Sequence, residues 1–161
     1  MALVRIRPAT PGDAGAITSV YMESAEHHAQ LDPENCYLPD QAAVERRYRQ
    51  GRQHPGSELP AVTLVAETDG EIVGFLDAQI QLPFDPMLRP IAYCFVADVG
   101  VAAARRSEGI GANLMRAVEG WAREHGADRV FLMYNSGNGR VTGFYERLGY
   151  GVVSVGMTKR L

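Results

Sequence analysis

Val101-Ala102-Ala103-Ala104-Arg105-Arg106-Ser107-Glu108-Gly109-Ile110-Gly111-Ala112 is the stretch whose reading decides this chain. Before it, residues 91–101 form an apolar run that reads as a strand. After it, Ile110, Leu114, Ala117, Val118, Trp121 and Ala122 recur at helical spacing. The stretch is therefore a strand-to-helix turn carrying two arginines and two glycines. Gly109 and Gly111 put no Cβ between the backbone N–H groups and a ligand. The first turn of a helix offers unpaired N–H groups at the positive end of its dipole, and Arg105 and Arg106 add charge beside them. A pyrophosphate suits such a turn. It is not a Walker loop, because no Gly-Lys-Ser/Thr follows, and the dinucleotide fingerprint's third glycine and second-strand acid are missing. Taken alone, it also reads as a tight turn with exposed arginines.

Working outward, residues 129–134 contain the run Val130-Phe131-Leu132-Met133, apolar throughout like a central strand covered on both faces. With the strand at 91–101 and a helix at 109–125 stopped by Gly126, they make a βαβ unit with parallel strands. A ligand then belongs beyond the carboxyl ends of those strands, where the arginine turn sits. Upstream, Asp69-Gly70 between two apolar runs marks a hairpin. Residues 3–7 alternate as a half-buried strand, and Thr10-Pro11-Gly12-Asp13 opens a helix to about residue 29 with Ala14, Ile17, Val20, Tyr21 and Ser24 inward. Asp40 caps a second helix that has Val44, Arg47 and Tyr48 on one side, Glu45 paired with Arg49, and Gly51 as its stop. Residues 54–60 read as a surface loop. The proline-rich residues 82–90 read as a loop that lines a pocket or meets a partner. A last helix carries Val141, Phe144, Tyr145 and Leu148 on one face, closes at Gly149, and leads to a strand at 150–160.

Two separated motifs in the right order resemble the GCN5-related N-acetyltransferase (GNAT) superfamily. They are Val101-x-Ala103-x-x-Arg106-x-x-Gly109-x-Gly111, and then Asn138-x-x-Val141-x-x-Phe144-Tyr145-Glu146-x-Leu148-Gly149-Tyr150. The opening Ile6-Arg7-Pro8-Ala9-Thr10-Pro11-Gly12-Asp13 resembles the family's first strand and helix start, so the likeness spans nearly the whole chain. It implies an α/β (α+β) fold in three α/β/α layers, with a mixed sheet of about six strands splayed between strands 4 and 5. It also implies one domain over residues 1–161. The implied activity is transfer of an acetyl group from acetyl-coenzyme A to a primary amine, directly within a ternary complex. The alternatives are an acyl-coenzyme-A-binding regulatory domain without turnover, or an N-acyltransferase with a longer acyl donor.

Composition fits that picture. The 161 residues are 46% hydrophobic and 22% charged, which suits one globular domain with a real core. The net charge of −3 argues against nucleic acid as the partner. No apolar run approaches the ~20 residues of a membrane span. Cys36 and Cys94 give no disulfide framework and nothing reads as a signal peptide, so the expected setting is cytoplasmic. The expected partner is an amine-bearing small molecule or peptide, and a homodimer is left open. His27-His28 with the nearby acids lacks metal-ligand spacing, so no metal is expected.

The resemblance assigns roles residue by residue. The coenzyme's phosphates would lie on Arg106, Ser107, Glu108, Gly109, Ile110, Gly111 and Ala112. Its pantetheine would bond the strand edge at Val99 and Val101, freed by a bulge for which Gly100 is the expected place. The N–H of Val99 would meet the oxyanion formed on the thioester carbonyl. Asn138 would touch the pantetheine, though it also suits a helix N-cap. Tyr145 is the candidate acid for the departing thiolate and adjoins the coenzyme; by spacing alone it is a core aromatic. An amine of pKa about 10 must lose a proton. Asp98 is the first candidate base, with Glu23, Glu26, His27 and His28 behind it. Cys94 has no histidine placed near it, so a covalent acyl-enzyme is not favoured. Residues 21–58 and 82–90 would wall the acceptor site. With Glu23, Glu26, Asp32 and Glu34 close together, a cationic acceptor is favoured over an anionic one.

Four positions depart from the family pattern. Ser107 stands for glycine, Ala103 for proline, Glu108 for a basic residue and Val141 for alanine. Ser107 keeps its N–H and adds a hydroxyl toward phosphate, whereas Glu108 is expected to turn outward or to weaken binding. The tail after Tyr150 is short, so six strands are expected and not seven.

Overall fold

The computed structural model describes residues 3–51, 58–135 and 137–159. Five strands form its sheet: β1 (Arg5–Pro8), β2 (Ala61–Thr68), β3 (Glu71–Gln81), β4 (Tyr93–Val101) and β5 (Arg129–Leu132), in that spatial order. The first three pairings are antiparallel and β4 pairs with β5 in parallel, as a βαβ unit requires. Asp69 and Gly70 turn β2 into β3 with φ of 52° and 82°. Both central residues are left-handed, the geometry that matches strand twist in a two-residue hairpin.

Two helical layers enclose the sheet. On one face lie α1 (Ala14–Leu31) and α2 (Gln41–Gln50), whose Ala14, Ile17, Val20, Val44 and Tyr48 pack on Val65 and Phe75. On the other lie α3 (Ile110–Glu124) and α4 (Gly139–Arg147), whose Ile110, Leu114, Met115, Val118 and Tyr145 pack on Leu64, Leu76, Ala78 and Val96. Phe75 and Leu76 are neighbours facing opposite layers, the period-two alternation of a strand buried on both sides. Local chemistry sets the helix ends. Asp40 accepts from the Ala43 N–H at 2.7 Å as the N-cap of α2, and Gly51 stops that helix at φ 76°. Asp13 accepts from the Thr10 N–H at 2.7 Å and takes both terminal nitrogens of Arg7, at 2.8 and 2.9 Å.

Three expectations need correction. The sixth strand is not formed: residues 151–159 carry no strand and are exposed, and Arg160 lies outside the described residues. Valine-rich alternation gives strand propensity, but a strand exists only where a neighbour supplies the ladder. The bulge in β4 is at Ala97 and not at Gly100, because Asp77 faces Asp98 while Ala78 faces Val96. Gly100 is glycine for a packing reason, since a Cβ there would stand 2.7 Å from Cε1 of Phe75. The strand expected at 3–7 is β1, displaced to Arg5–Pro8. Of the loop expected at 54–60, residues 54–57 lie outside the described residues.

Candidate functional site

The parallel pairing of β4 and β5 runs from Tyr93 opposite Arg129 to Val96 opposite Leu132 and ends there. Past the Ala97 bulge, β4 continues to Val101 bonded to β3 alone. The Ala102 N–H donates to the Val73 carbonyl at 2.9 Å. Backbone direction alternates along an antiparallel ladder, so the N–H and C=O groups of Val101 and Val99 turn the other way. They face the side that β5 has left. The Val101 carbonyl there accepts from Nε of Arg106 at 3.3 Å.

At the end of this gap the chain makes one 3-10 turn, Ala103–Arg105, and enters α3. The Ala103 N–H donates to Oε2 of Glu23 at 2.7 Å, which ties the turn to α1. Ser107 and Gly109 take left-handed φ of 68° and 81°, and the N–H groups of Ile110, Gly111 and Ala112 open α3 without helical acceptors. Gly111 has a second reason to be glycine: a Cβ there would meet Cζ of Phe144 on α4 at 3.3 Å. Nε of Arg105 donates to both oxygens of Glu108 at 3.0 Å, and this pair holds the Glu108 carboxyl below its usual range. Arg105 is thereby occupied, while Arg106 makes no ion pair among the described residues.

Across the α3 face, Tyr145 is buried among Tyr134, Phe144 and Tyr150, with ring centroids 5.9, 5.0 and 5.8 Å away. Burial pushes its phenol up to about 12. Asn138 precedes α4 and makes no side-chain cap bond there. The Cys94 thiol is fully buried and pushed up to about 11, so it is not a thiolate near neutrality.

On the opposite face Asp98 joins a group that the sequence reading did not assemble. Nη2 of Arg47 donates to Oδ2 of Asp98 at 3.0 Å and to Oδ2 of Asp77 at 3.3 Å. Thr63 Oγ1 donates to Oδ1 of Asp77 at 2.5 Å. Asp77 is fully buried, and its place within the apolar run of β3 was the available signal, because a buried carboxylate requires partners. The Arg47 guanidinium also lies 5.3 Å over the Tyr48 ring. Burial pushes the Tyr48 and Tyr21 phenols up, and the nearby carboxylates add to the shift. Of the other candidate bases, Glu23 is bonded to Ala103, Glu26 and His27 are exposed, and His28 is half-buried. A cavity of about 490 Å³ opens at the β2 end of this group, with Tyr48, Thr63 and Gln79 in its wall. It is distinct from the gap between β4 and β5.

A sequence model of the acetyltransferase (GNAT) family matches residues 22–150. The chain belongs to that family. It is similar to the uncharacterized N-acetyltransferase YhfO of Bacillus subtilis, 27% identical over 150 residues that cover 91% of this chain and 89% of the relative. Among solved structures, a mutant of the BH1408 protein from Bacillus halodurans superposes with a TM-score of 0.86 at 21% identity, covering 98% and 99% of the two chains. The aminoglycoside N-acetyltransferase AAC(6′)-Iy in complex with CoA gives 0.71 at 18%, covering 100% and 96%. These two likenesses concern the fold.

As a GNAT chain, the protein keeps Arg106, Gly109 and Gly111 of the family turn and replaces its usual glycine with Ser107, which still takes the left-handed conformation. Glu108, the departure that stood against phosphate binding, is paired with Arg105. Of the residues expected to hold the coenzyme, Val99, Val101 and 106–112 follow one another from the end of β4 into α3, whereas Asn138 precedes α4 and Tyr145 lies within it. Tyr145 and Asp98 lie on opposite faces of the sheet. Among the described residues no helix is long and apolar enough to cross a membrane, and no group of three or more His, Cys, Asp or Glu is arranged to hold a metal.

Proposed function

We propose that the chain transfers an acetyl group from acetyl-coenzyme A to a primary amine, directly, with both substrates bound together. The carrying observation is the gap left where β5 ends beside Val96 while β4 continues, lined by the outward backbone groups of Val99 and Val101 and ending at the start of α3. The fit to an extended pantetheine is one of backbone groups turned toward a single edge, those of Val99 and the Val101 N–H, with the Val101 carbonyl held by Arg106 in the free chain. Bound there, acetyl-coenzyme A supplies an activated thioester. The first-turn N–H groups of α3 and the Arg106 guanidinium hold its phosphates. Val99 and Val101 bond the arm, and the Val99 N–H donates to the thioester carbonyl as charge develops on it. Asp98 takes the amine's proton, directly or through water, the N–C bond forms as C–S breaks, and the Tyr145 phenol protonates the sulfur.

The acceptor in this reading is a small cationic amine. Asp98, whose side chain is partly exposed beside Arg47, presents a carboxylate toward which a cationic acceptor would be drawn. The CoA-bound structural neighbour is an aminoglycoside N-acetyltransferase, and polyamine-like cations of that kind belong in the first panel. Thiol release, measured with acetyl and longer acyl donors against amines that include aminoglycosides and peptides, tests the reading. Release that needs both an acetyl donor and an amine supports it. A second reading, a coenzyme-A-binding domain without turnover, draws on the Arg47–Asp98 ion pair, which engages the candidate base. Binding without release across the panel selects it.

A further inference from the structure

Helix α1 touches the chain on both sides of the gap between β4 and β5, and a carboxylate ties it to each side. Val20 stands against the β4 side, where a Cβ on Gly100 would meet its Cγ1 at 3.3 Å. About one turn on, Oε2 of Glu23 accepts from the Ala103 N–H at 2.7 Å, where the chain turns toward α3. At the far end of the helix Leu31 stands against the β5 side, where a Cβ on Gly137 would meet its Cδ1 at 3.8 Å. The next residue, Asp32, accepts from Nδ2 of Asn135 at 3.3 Å through its Oδ2. Asn135 in turn accepts from the Gly137 N–H at 2.9 Å through Oδ1 and from the Asn138 N–H at 2.9 Å through its carbonyl.

The helix does not depend on either tie. Ala14, Ile17, Thr18 and Val20 bury it, and the main-chain N–H of Asp32 closes it on the His28 carbonyl at 2.9 Å. Both carboxylates are spent instead on the two turns that border the gap. The β4–β5 ladder ends at Val96 and Leu132, so beyond that point no ladder among the described residues fixes how far apart the two chains stand. On the other face α3 meets α4 by apolar packing, Gly111 against Phe144, and such packing is not directional. A helix is a stiff spacer, and Glu23 and Asp32 lie about 13 Å apart along α1 at roughly 1.5 Å per residue.

We propose that Glu23 and Asp32 are positioning residues that act as a pair: by tying α1 to the turn at Ala103 and to the turn at Asn135, they set the width of the gap in which acetyl-coenzyme A lies. The inference rests on the reading of that gap as the coenzyme's site. Neither carboxylate touches the coenzyme or the amine. Glu23 orients the turn that carries Arg106 and residues 107–112 toward the phosphates. Asp32 orients Asn135 and, through its carbonyl, Asn138 beside the pantetheine. Because one rigid helix carries both ties, release of either end lets the two sides drift, and the remaining tie then holds no distance.

Titration of acetyl-coenzyme A into the full chain, with no amine present, tests the pair. Glu23→Ala and Asp32→Ala are each expected to weaken binding about tenfold, the scale of one lost hydrogen bond to a charged group. The double variant is expected to show about the same tenfold loss. Substitutions more than about 10 Å apart with no shared partner ordinarily add, which would give about a hundredfold. Additive losses therefore overturn the proposal, as do single variants that bind like the parent. Glu23→Gln and Asp32→Asn keep an accepting oxygen and are expected to bind like the parent. If they are as weak as the alanine variants, charge and not the tie matters, and the proposal falls. Melting of the coenzyme-free variants is expected to match the parent's, and a loss of affinity that only tracks a loss of stability also overturns it. A parent that binds no acetyl-coenzyme A removes the coenzyme reading itself and this inference with it, whereas a parent that binds, with additive variants, removes the pairing alone.

Discussion

Arg47 Nη2 lies 3.0 Å from Oδ2 of Asp98, and so α2 reaches across the sheet to the carboxylate that follows the β4 bulge. The same nitrogen bonds fully buried Asp77, which makes Asp98 one member of an anchored group. In the proposed mechanism that anchoring fixes the direction of a proton acceptor. Asp98→Asn keeps the size and deletes the basicity. It is expected to lower kcat for amine acetylation by about 100- to 10,000-fold near neutral pH while leaving acetyl-coenzyme A affinity unchanged. Steady-state thiol release and calorimetric binding check the two halves, and an unchanged kcat with chemistry rate-limiting removes Asp98 as the base.

Tyr145 is held protonated, with its phenol near 12 in the ligand-free chain. A thiolate whose conjugate acid lies near 8.5 to 10 is then protonated uphill, so the acid helps less than a matched one. Tyr145→Phe is expected to reduce kcat by about 10- to 100-fold with the melting temperature nearly unchanged. A loss confined to KM would assign Tyr145 to binding alone.

Arg106 donates to the Val101 carbonyl in the free chain and makes no ion pair among the described residues. Arg106→Ala is expected to weaken acetyl-coenzyme A by about 1 to 3 kcal/mol through lost charge-assisted contacts. Titration calorimetry reads this directly. Equal affinity in mutant and parent would move the phosphate site away from this turn.

Ser107 sits at φ 68°, a region where a side chain crowds its own backbone. Ser107→Gly relieves that strain at the cost of a more flexible unfolded chain, and the net is expected to be about 0.5 to 1 kcal/mol of added stability. Urea unfolding measures it. A destabilised variant would mean that the Ser107 hydroxyl contributes more than the strain costs.

Alkaline pH should unfold the chain. Burial raises the phenol of Tyr145 to about 12 and the thiol of Cys94 to about 11, above their ordinary values of about 10 and 8.5. A raised folded-state value favours the protonated form, so the unfolded chain loses these protons first. The contribution is complete below pH of about 8 and is lost as pH rises through about 11 to 12. Melting temperature should therefore fall steeply above about pH 10. A flat profile to pH 12 would mean that water reaches both groups.

The sequence by itself determined what depends on neighbours along the chain. The Asp69-Gly70 hairpin, the Asp40 cap, the Gly51 and Gly126 stops and the glycine-arginine turn before α3 follow from φ/ψ limits and orphan N–H groups within a few residues. The parallel pairing of β4 with β5 followed as well, because a helix between two strands permits little else. Only the tertiary structure decided what depends on the atoms lying across from a residue. It put the bulge at Ala97, and it gave Gly100 to the contact with the ring of Phe75. It brought Arg47, Asp77 and Asp98 together from one helix and two strands, a meeting no spacing along the chain encodes. It paired Glu108 with Arg105, and it gave Gly111 to the contact with Phe144. Residues 151–159 have the alternation of a strand and no strand, because a β-ladder is completed by a neighbour, and among the described residues none stands beside them.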